Sequence, residues 1–240
     1  VVRPLVNRFR DSHAVAEAAA ADLFEFVESN LKSQSEVHVA VTGGTVGIAT
    51  LAAASNLGFS DLDLSRLHIW WGDERFVEST SADRNAVQAT NAWLRKLNIP
   101  VMNVHEFPST DSGLSVSDAA AFFEAVFDGA GITFDLMLMG MGPDGHIASL
   151  FPGHSEGEAQ NTVIAETDSP KPPSQRLSFS YKAINQSREI WFTVAGADKA
   201  EAVSVAFGEN PESLPVGRIR GKEKTVWYVD QTAGNLVWGC

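Results

Sequence analysis

The sequence predicts an α/β protein with a mostly parallel sheet and helices on both faces. Three observations predict it. Short apolar runs of strand type alternate with helical segments along the chain. The runs are apolar enough to be covered on both faces, as parallel strands are. Several of them also run straight into glycine-bearing turns, and open α/β sheets hold their ligands just outside the carboxyl ends of the strands.

The first helix is expected over Asp11–Leu31, with Val15, Leu23, Phe24 and Val27 on one stripe and Asp11 or Ser12 as cap. Val37–Val41 is a strand, 42–45 (TGGT) a turn, and Val46–Leu57 a helix. Leu67–Trp71 is a second strand, its tryptophans core, and it runs into Gly72-Asp73-Glu74-Arg75. A polar loop at 78–84 leads to a helix over Asn85–Leu97 that Pro100 stops, and a further helix covers Ser117–Phe127. Strands follow at 134–139, 162–166, 176–181 and 189–194, then a helix from about 198 to 207 and a strand at 225–229. The proline-rich loop 170–175 is short enough to be an ordinary connection, so residues 1–240 are expected to form one domain.

At 240 residues the chain can bury a large core, and 44% hydrophobic with 20% charged residues are ordinary globular values. The net charge of −12 argues against nucleic acid or an anionic membrane surface as partner, since both need a broad basic face. A small anion needs only a few local donors, so cations at turns become informative. No run approaches bilayer-spanning length, and the first residues lack a basic-then-apolar signal pattern. The single cysteine, Cys240, leaves no internal disulfide, and a cytoplasmic setting is expected. Val1-Val2 without a methionine leaves the natural start open.

The segment Phe134–Pro152 (FDLMLMGMGPDGHIASLFP) carries the most chemistry. Pro143 suits the second position of a β-turn and Gly145 the fourth, with Asp144 between them. His146 is then expected to open a short helix, whose dipole favours a neutral imidazole able to accept a proton from water. Gly43, Gly44 and Thr45 lie between a buried strand and a helix, where free N–H groups suit phosphate or carboxylate, although a turn needed only for chain reversal has the same signature. Asp73 and Arg75 at a strand end suit an acid/base group and an anion clamp, and taken alone an ion pair on a solvated loop is the simpler reading. Arg176, Lys199 and Lys171 are further cations at strand–loop junctions, and together with the GGT turn they point to phosphate. Arg218, Arg220, Lys222 and Lys224 read as a solvated face. His13, His38, His68, His105 and His154 show no metal-ligand spacing, and no G-x-S-x-G elbow is present, so no metal, no cofactor and no acyl-serine are expected.

Taken in order, TGGT, WWGDERFV with SADRN, GMGPDGHIASLFPG, SPKPPSQRLSFS and AGADKA closely resemble the 6-phosphogluconolactonase family over residues 37 to 200. The resemblance implies a Rossmann-like fold similar to glucosamine-6-phosphate deaminase, and metal-independent hydrolysis of 6-phospho-D-glucono-1,5-lactone in the oxidative pentose phosphate pathway. It implies His146 as the base that activates water, Asp144 orienting it, and Asp73 and Arg75 in the same pocket. Gly43, Gly44, Thr45, Arg176 and Lys199 would hold the phosphate, with Lys171 a further contributor. The expected partner is thus a small phosphorylated lactone, bound by a monomer or a homodimer.

Related deaminases carry a pattern like GHIAFNEP, with a glutamate that assists ring opening, and here Phe151 stands at that position. Their DEY-type motif appears as Asp73-Glu74-Arg75. A deaminase or isomerase of the same fold, and a non-enzymatic sugar-phosphate-binding regulator, are the competing readings. The regulator would have no need for Asp144 and His146.

Overall fold

Six strands of one parallel sheet and three of a small antiparallel one make up the strand framework among the described residues, 3–239, of the computed structural model. The expectations resting on Cys240 and on Val1-Val2 lie outside those residues. In chain order the elements are β1 (Leu5–Phe9), α1 (Ser12–Ser33), β2 (Val37–Val41), α2 (Gly44–Ala54), β3 (Leu67–Trp71) and β4 (Asp73–Arg75). Then come α3 (Asn85–Ala92), α4 (Val116–Ala130), β5 (Leu136–Met139), β6 (Val163–Glu166), β7 (Arg176–Phe179) and α5 (Tyr181–Ile184). The chain continues through β8 (Glu189–Val194), α6 (Ala200–Ala206), β9 (Lys224–Asp230) and α7 (Asn235–Trp238).

The parallel sheet runs β1-β9-β8-β5-β2-β3, and the small sheet β4-β7-β6. From β2 the chain builds outward to β3 on one side, and later through β5, β8 and β9 on the other. The loops leaving β2 and β5 therefore diverge at adjacent strand ends, which opens a crevice there.

Alternation along each strand sorts the core into two layers. Trp191 and Tyr228 face α1, where Phe26 packs edge-on against Trp191 and Tyr228 Oη donates to Asp22 Oδ2 at 2.6 Å. Phe192 and Trp227 face the other way and meet Phe207 at the end of α6. On that second face Trp70 packs against Phe123 and Phe127 of α4, and Phe179 of the small sheet closes the same aromatic cluster. The tryptophans of β3 are core, as expected, Trp70 and Trp71 being buried.

Several boundaries differ from the sequence reading for physical reasons. β1 was not anticipated: LVNRF is an edge strand with largely exposed side chains, so it has no buried run to recognise. The helix expected to reach Leu97 ends at Ala92, because Trp93 turns out of helical geometry (φ −140°, ψ −55°) to bury its indole, and a 3₁₀ turn follows. Asp73-Glu74-Arg75 is a strand with buried Asp73 and Glu74, not a solvated loop. The strand expected over 176–181 stops at Phe179, where Ser180 caps α5.

Candidate active site

Loops from the carboxyl ends of the parallel strands, with residues of the small sheet, enclose one cavity of about 640 Å³. Gly43, Gly44, Thr45, Asp73, Arg75, His146, Lys171, Arg176 and Lys199 all line it. Asp144 stands behind His146 instead of on the wall, so every residue singled out from the sequence gathers at this one place.

The β2 end supplies the anion-seeking part. Gly44 has φ +78°, a left-handed value that suits glycine, and it begins α2, whose first N–H groups have no carbonyl within the helix. Gly43 is fixed by close approach: a Cβ there would lie 1.9 Å from Asn85 Oδ1.

The β5 end supplies the imidazole. Gly145 N–H donates to Gly142 O at 3.0 Å, which closes the expected turn with Pro143 and Asp144 in its centre. Gly142 leaves room for the ring, since a Cβ on it would stand 1.9 Å from His146 Nδ1. His146 Nδ1 lies 2.5 Å from Asp144 Oδ1, and its ring packs against Phe151 with centroids 4.8 Å apart. The short helix expected at His146 does not form. Ile147 and Leu150 bridge each other across a tight turn in which Ala148 has φ +47°, so His146 owes its geometry to Asp144 and Gly142 and not to a helix dipole.

Burial works against the charge on Asp144, but the hydrogen bond and charge of His146, together with Lys171, outweigh it and hold the carboxyl well below its usual range. Lys171 Nζ sits 3.4 Å from His146 Nδ1 and 4.0 Å from Asp144 Oδ1. Burial lowers the Lys171 ammonium, and nearby Lys199 and Arg176 add to this against the opposing pull of Asp144. Mutual repulsion among those cations is what an anionic ligand relieves.

Arg176 is buried, and burial lowers its guanidinium against the pull of Asp73. Its Nε and Nη2 donate to carbonyls of Lys171, Pro172 and Pro173, while Nη1 faces Asp73 Oδ2 at 4.0 Å. One arginine thus holds the proline-rich loop and still turns an N–H edge toward the cavity. Lys199 pairs with the exposed Asp198 at 3.0 Å.

Asp73 is tethered on both oxygens: Ser149 Oγ donates to Oδ2 at 2.6 Å and Asn85 Nδ2 to Oδ1 at 3.2 Å. Beside it, Glu74 accepts the N–H groups of Arg75, Asn85 and Ala86 and faces Arg84 at 3.8 Å. Burial pushes Glu74 up to about 7 against those opposing contacts.

Sequence reasoning missed Asn85, Ser149 and Thr193. Thr193 is buried on the cavity wall, and its hydroxyl has no partner among the described residues. Asn85 and Ser149 fall inside recognisable motifs, yet their roles depend on contacts 12 and 76 residues away in the chain. The histidines without metal-ligand spacing do meet carboxylates in space, as Glu36-His38-His68 and His154-Glu156-Glu166. His38 Nδ1 accepts from Trp70 Nε1 at 3.2 Å, so its proton sits on Nε2, toward Glu36. His154 Nδ1 is paired with Glu166 at 2.8 Å. Of the cluster 218–224, Arg218, Arg220 and Lys222 are exposed and Lys224 is half-buried.

The chain is 37% identical over 244 residues to a 6-phosphogluconolactonase of Mycobacterium leprae, an alignment covering 98% of each. It superposes with a TM-score of 0.85 on the crystal structure of a 6-phosphogluconolactonase from Thermotoga maritima, at 26% identity, covering 95% of this chain and 100% of that one. A monomeric glucosamine-6-phosphate deaminase shares the fold, with a TM-score of 0.80 at 18% identity over 97% and 99% of the two chains. The model of glucosamine-6-phosphate isomerases/6-phosphogluconolactonase matches residues 10–227. With a match of that extent, the chain belongs to the glucosamine-6-phosphate isomerase/6-phosphogluconolactonase family.

Proposed function

We propose that the protein hydrolyses 6-phospho-D-glucono-1,5-lactone to 6-phospho-D-gluconate, a step of the oxidative pentose phosphate pathway. The observation that carries this reading is an imidazole backed by a carboxylate and facing one cavity with four cations and a helix start. A lactone is an activated ester, so it needs a deprotonated water, a stabilised oxyanion and a fixed pose, without a covalent nucleophile.

The start of α2 at Gly43–Thr45, with Arg176 and Lys199, holds the phosphate and orients the ring. Asp144 accepts the Nδ1–H of His146 and so presents the Nε2 lone pair to water. His146 takes a proton as the water oxygen bonds to C1, and the carbonyl oxygen becomes an oxyanion facing Arg75. When the C1–ring oxygen bond breaks, the imidazolium returns its proton to that oxygen. The product acid then ionises to solvent. Lys171, beside the imidazole, adds positive potential where negative charge develops.

Phe151 favours hydrolysis over deamination, because a buried apolar ring packs against His146 where the deaminase pattern has a glutamate. Cavity residues run from Ser12 to Asp230, which supports a single domain over the chain. Among the described residues no helix is long and apolar enough to cross a membrane. A cytoplasmic setting follows from the substrate, whose phosphate keeps it from crossing membranes unaided. One alkali titration decides the reading: freshly generated 6-phosphogluconolactone is hydrolysed well above its spontaneous rate, and unphosphorylated gluconolactone is a poor substrate. Release of ammonia from glucosamine 6-phosphate, with no gain on the lactone, would replace this reading by the deaminase one.

A further inference from the structure

We propose that Asn85 is a positioning residue that aims Arg75 at the reacting end of the substrate and sets its distance from the phosphate turn. The inference rests on the hydrolase reading above. Asn85 opens α3, and its place is fixed before its side chain is considered. Buried Glu74 accepts the Asn85 N–H at 2.7 Å and the Ala86 N–H at 2.9 Å, which pins the helix start onto β4.

The amide then has a single workable orientation. Nδ2 donates to the backbone carbonyl of Asp73 at 2.9 Å and to Asp73 Oδ1 at 3.2 Å. Reversing the amide would set its oxygen against two acceptors, a costly arrangement for a side chain this buried. Oδ1 therefore faces the other way, and Arg75 Nη1 donates to it. The same Nη1 donates to Asp83 O at 3.0 Å. Both hydrogens of that nitrogen are thus spent inside the protein, which leaves Nε and Nη2 for the cavity that Arg75 lines.

The oxygen side of the amide also borders the phosphate turn. Gly43 packs so closely on it that a Cβ would fall 1.9 Å from Oδ1 and 2.6 Å from Cγ. One side chain therefore spaces three things: the anion-binding start of α2, the tethered carboxylate of Asp73, and the guanidinium of Arg75. Without it Arg75 keeps only the Asp83 carbonyl among these anchors and swings.

The test is a double-mutant cycle on kcat with 6-phosphogluconolactone, using Asn85→Ala, Arg75→Ala and the pair. Misplacing a catalytic group by about 1 Å costs up to about a hundredfold, so Asn85→Ala is expected to lose at least about tenfold in kcat. KM is expected to stay within about twofold, because the phosphate contacts remain. In the Arg75→Ala background the Asn85 change is expected to cost much less than in the parent, since it acts chiefly through Arg75. Asn85→Leu, which keeps the size but offers Arg75 no acceptor, serves if the alanine variant does not fold. A parental kcat in a folded Asn85 variant, or losses that simply multiply in the double variant, overturns the proposal. An inactive parent enzyme would instead overturn the hydrolase reading, and the two failures are therefore distinct.

Discussion

The proposed base, His146, is held by a neighbour that does not line the cavity. Asp144 Oδ1 lies 2.5 Å from its Nδ1, which in the proposed mechanism leaves Nε2 to face water. Replacing His146 with alanine is expected to lower kcat by at least about 10²–10⁴-fold. Calorimetric binding of 6-phosphogluconate should survive within a few-fold, since the phosphate contacts come from other residues. Near-normal turnover in that variant would remove His146 as the base. At this scale the sequence was most legible where chemistry and chain order coincide, as in Pro143-Asp144-Gly145-His146. It was least legible at Asn85, Ser149 and Thr193, ordinary polar residues whose significance arises only when the fold sets Asn85 and Thr193 on the cavity wall and Ser149 against Asp73.

Glycine sets the geometry of the elements around the site, and Gly142 shows how tightly. A Cβ there would stand 1.9 Å from Nδ1 and 2.0 Å from Cε1 of the imidazole, so Gly142→Ala must displace the ring. A loss of roughly a hundredfold in kcat with KM little changed is expected, read from initial rates across substrate concentration. At the amino ends of β2 and β3 another element-scale feature has a thermodynamic signature. His38 stacks on His68, and Trp70 lies on His105 at 3.8 Å. Burial, with the charges of His68 and His38, lowers the His105 pKa to about 4 from an ordinary value near 6.5. Burial and His38 lower His68 in the same direction, against Glu36. Between those two values His105 binds more protons in the unfolded chain than in the folded one, so its contribution to stability falls as pH drops from about 6.5 toward about 4, while Glu74, raised to about 7, acts in the opposite sense over much of that range. Thermal melts at pH 7 and pH 5 read the histidine's share by comparison: His105→Phe, which keeps the stack, should gain stability relative to the parent on going from pH 7 to pH 5. An unchanged pH slope in His105→Phe would deny the stack that role. Strand and helix order were readable from periodicity, but an exposed edge strand such as β1 and a helix stopped by one buried tryptophan were not, because tertiary contacts decide both.

The molecule as a whole is strongly acidic, yet it concentrates Arg75, Lys171, Arg176 and Lys199 in one cavity. Bringing those cations together is unfavourable until an anion joins them, so ligand and fold are linked. At about a hundred times its dissociation constant a ligand adds about 2.7 kcal/mol of stability. For a chain of this length that corresponds to a rise of roughly 5–10 °C in Tm. 6-Phosphogluconate is expected to produce that shift, and Lys199→Ala to shrink it at the same ligand concentration. An equal shift in the variant would remove Lys199 from the phosphate site. The strand order also brings both extremes of the chain to the cavity wall, Ser12 from the start of α1 and Asp230 from the end of β9. In a refolding mixture, helical signal can recover from local segments, whereas turnover is expected only once Ser12 and Asp230 share one cavity wall. Recovered activity is therefore expected to report long-range assembly, and a fragment without the start of α1 or the end of β9 to lack it.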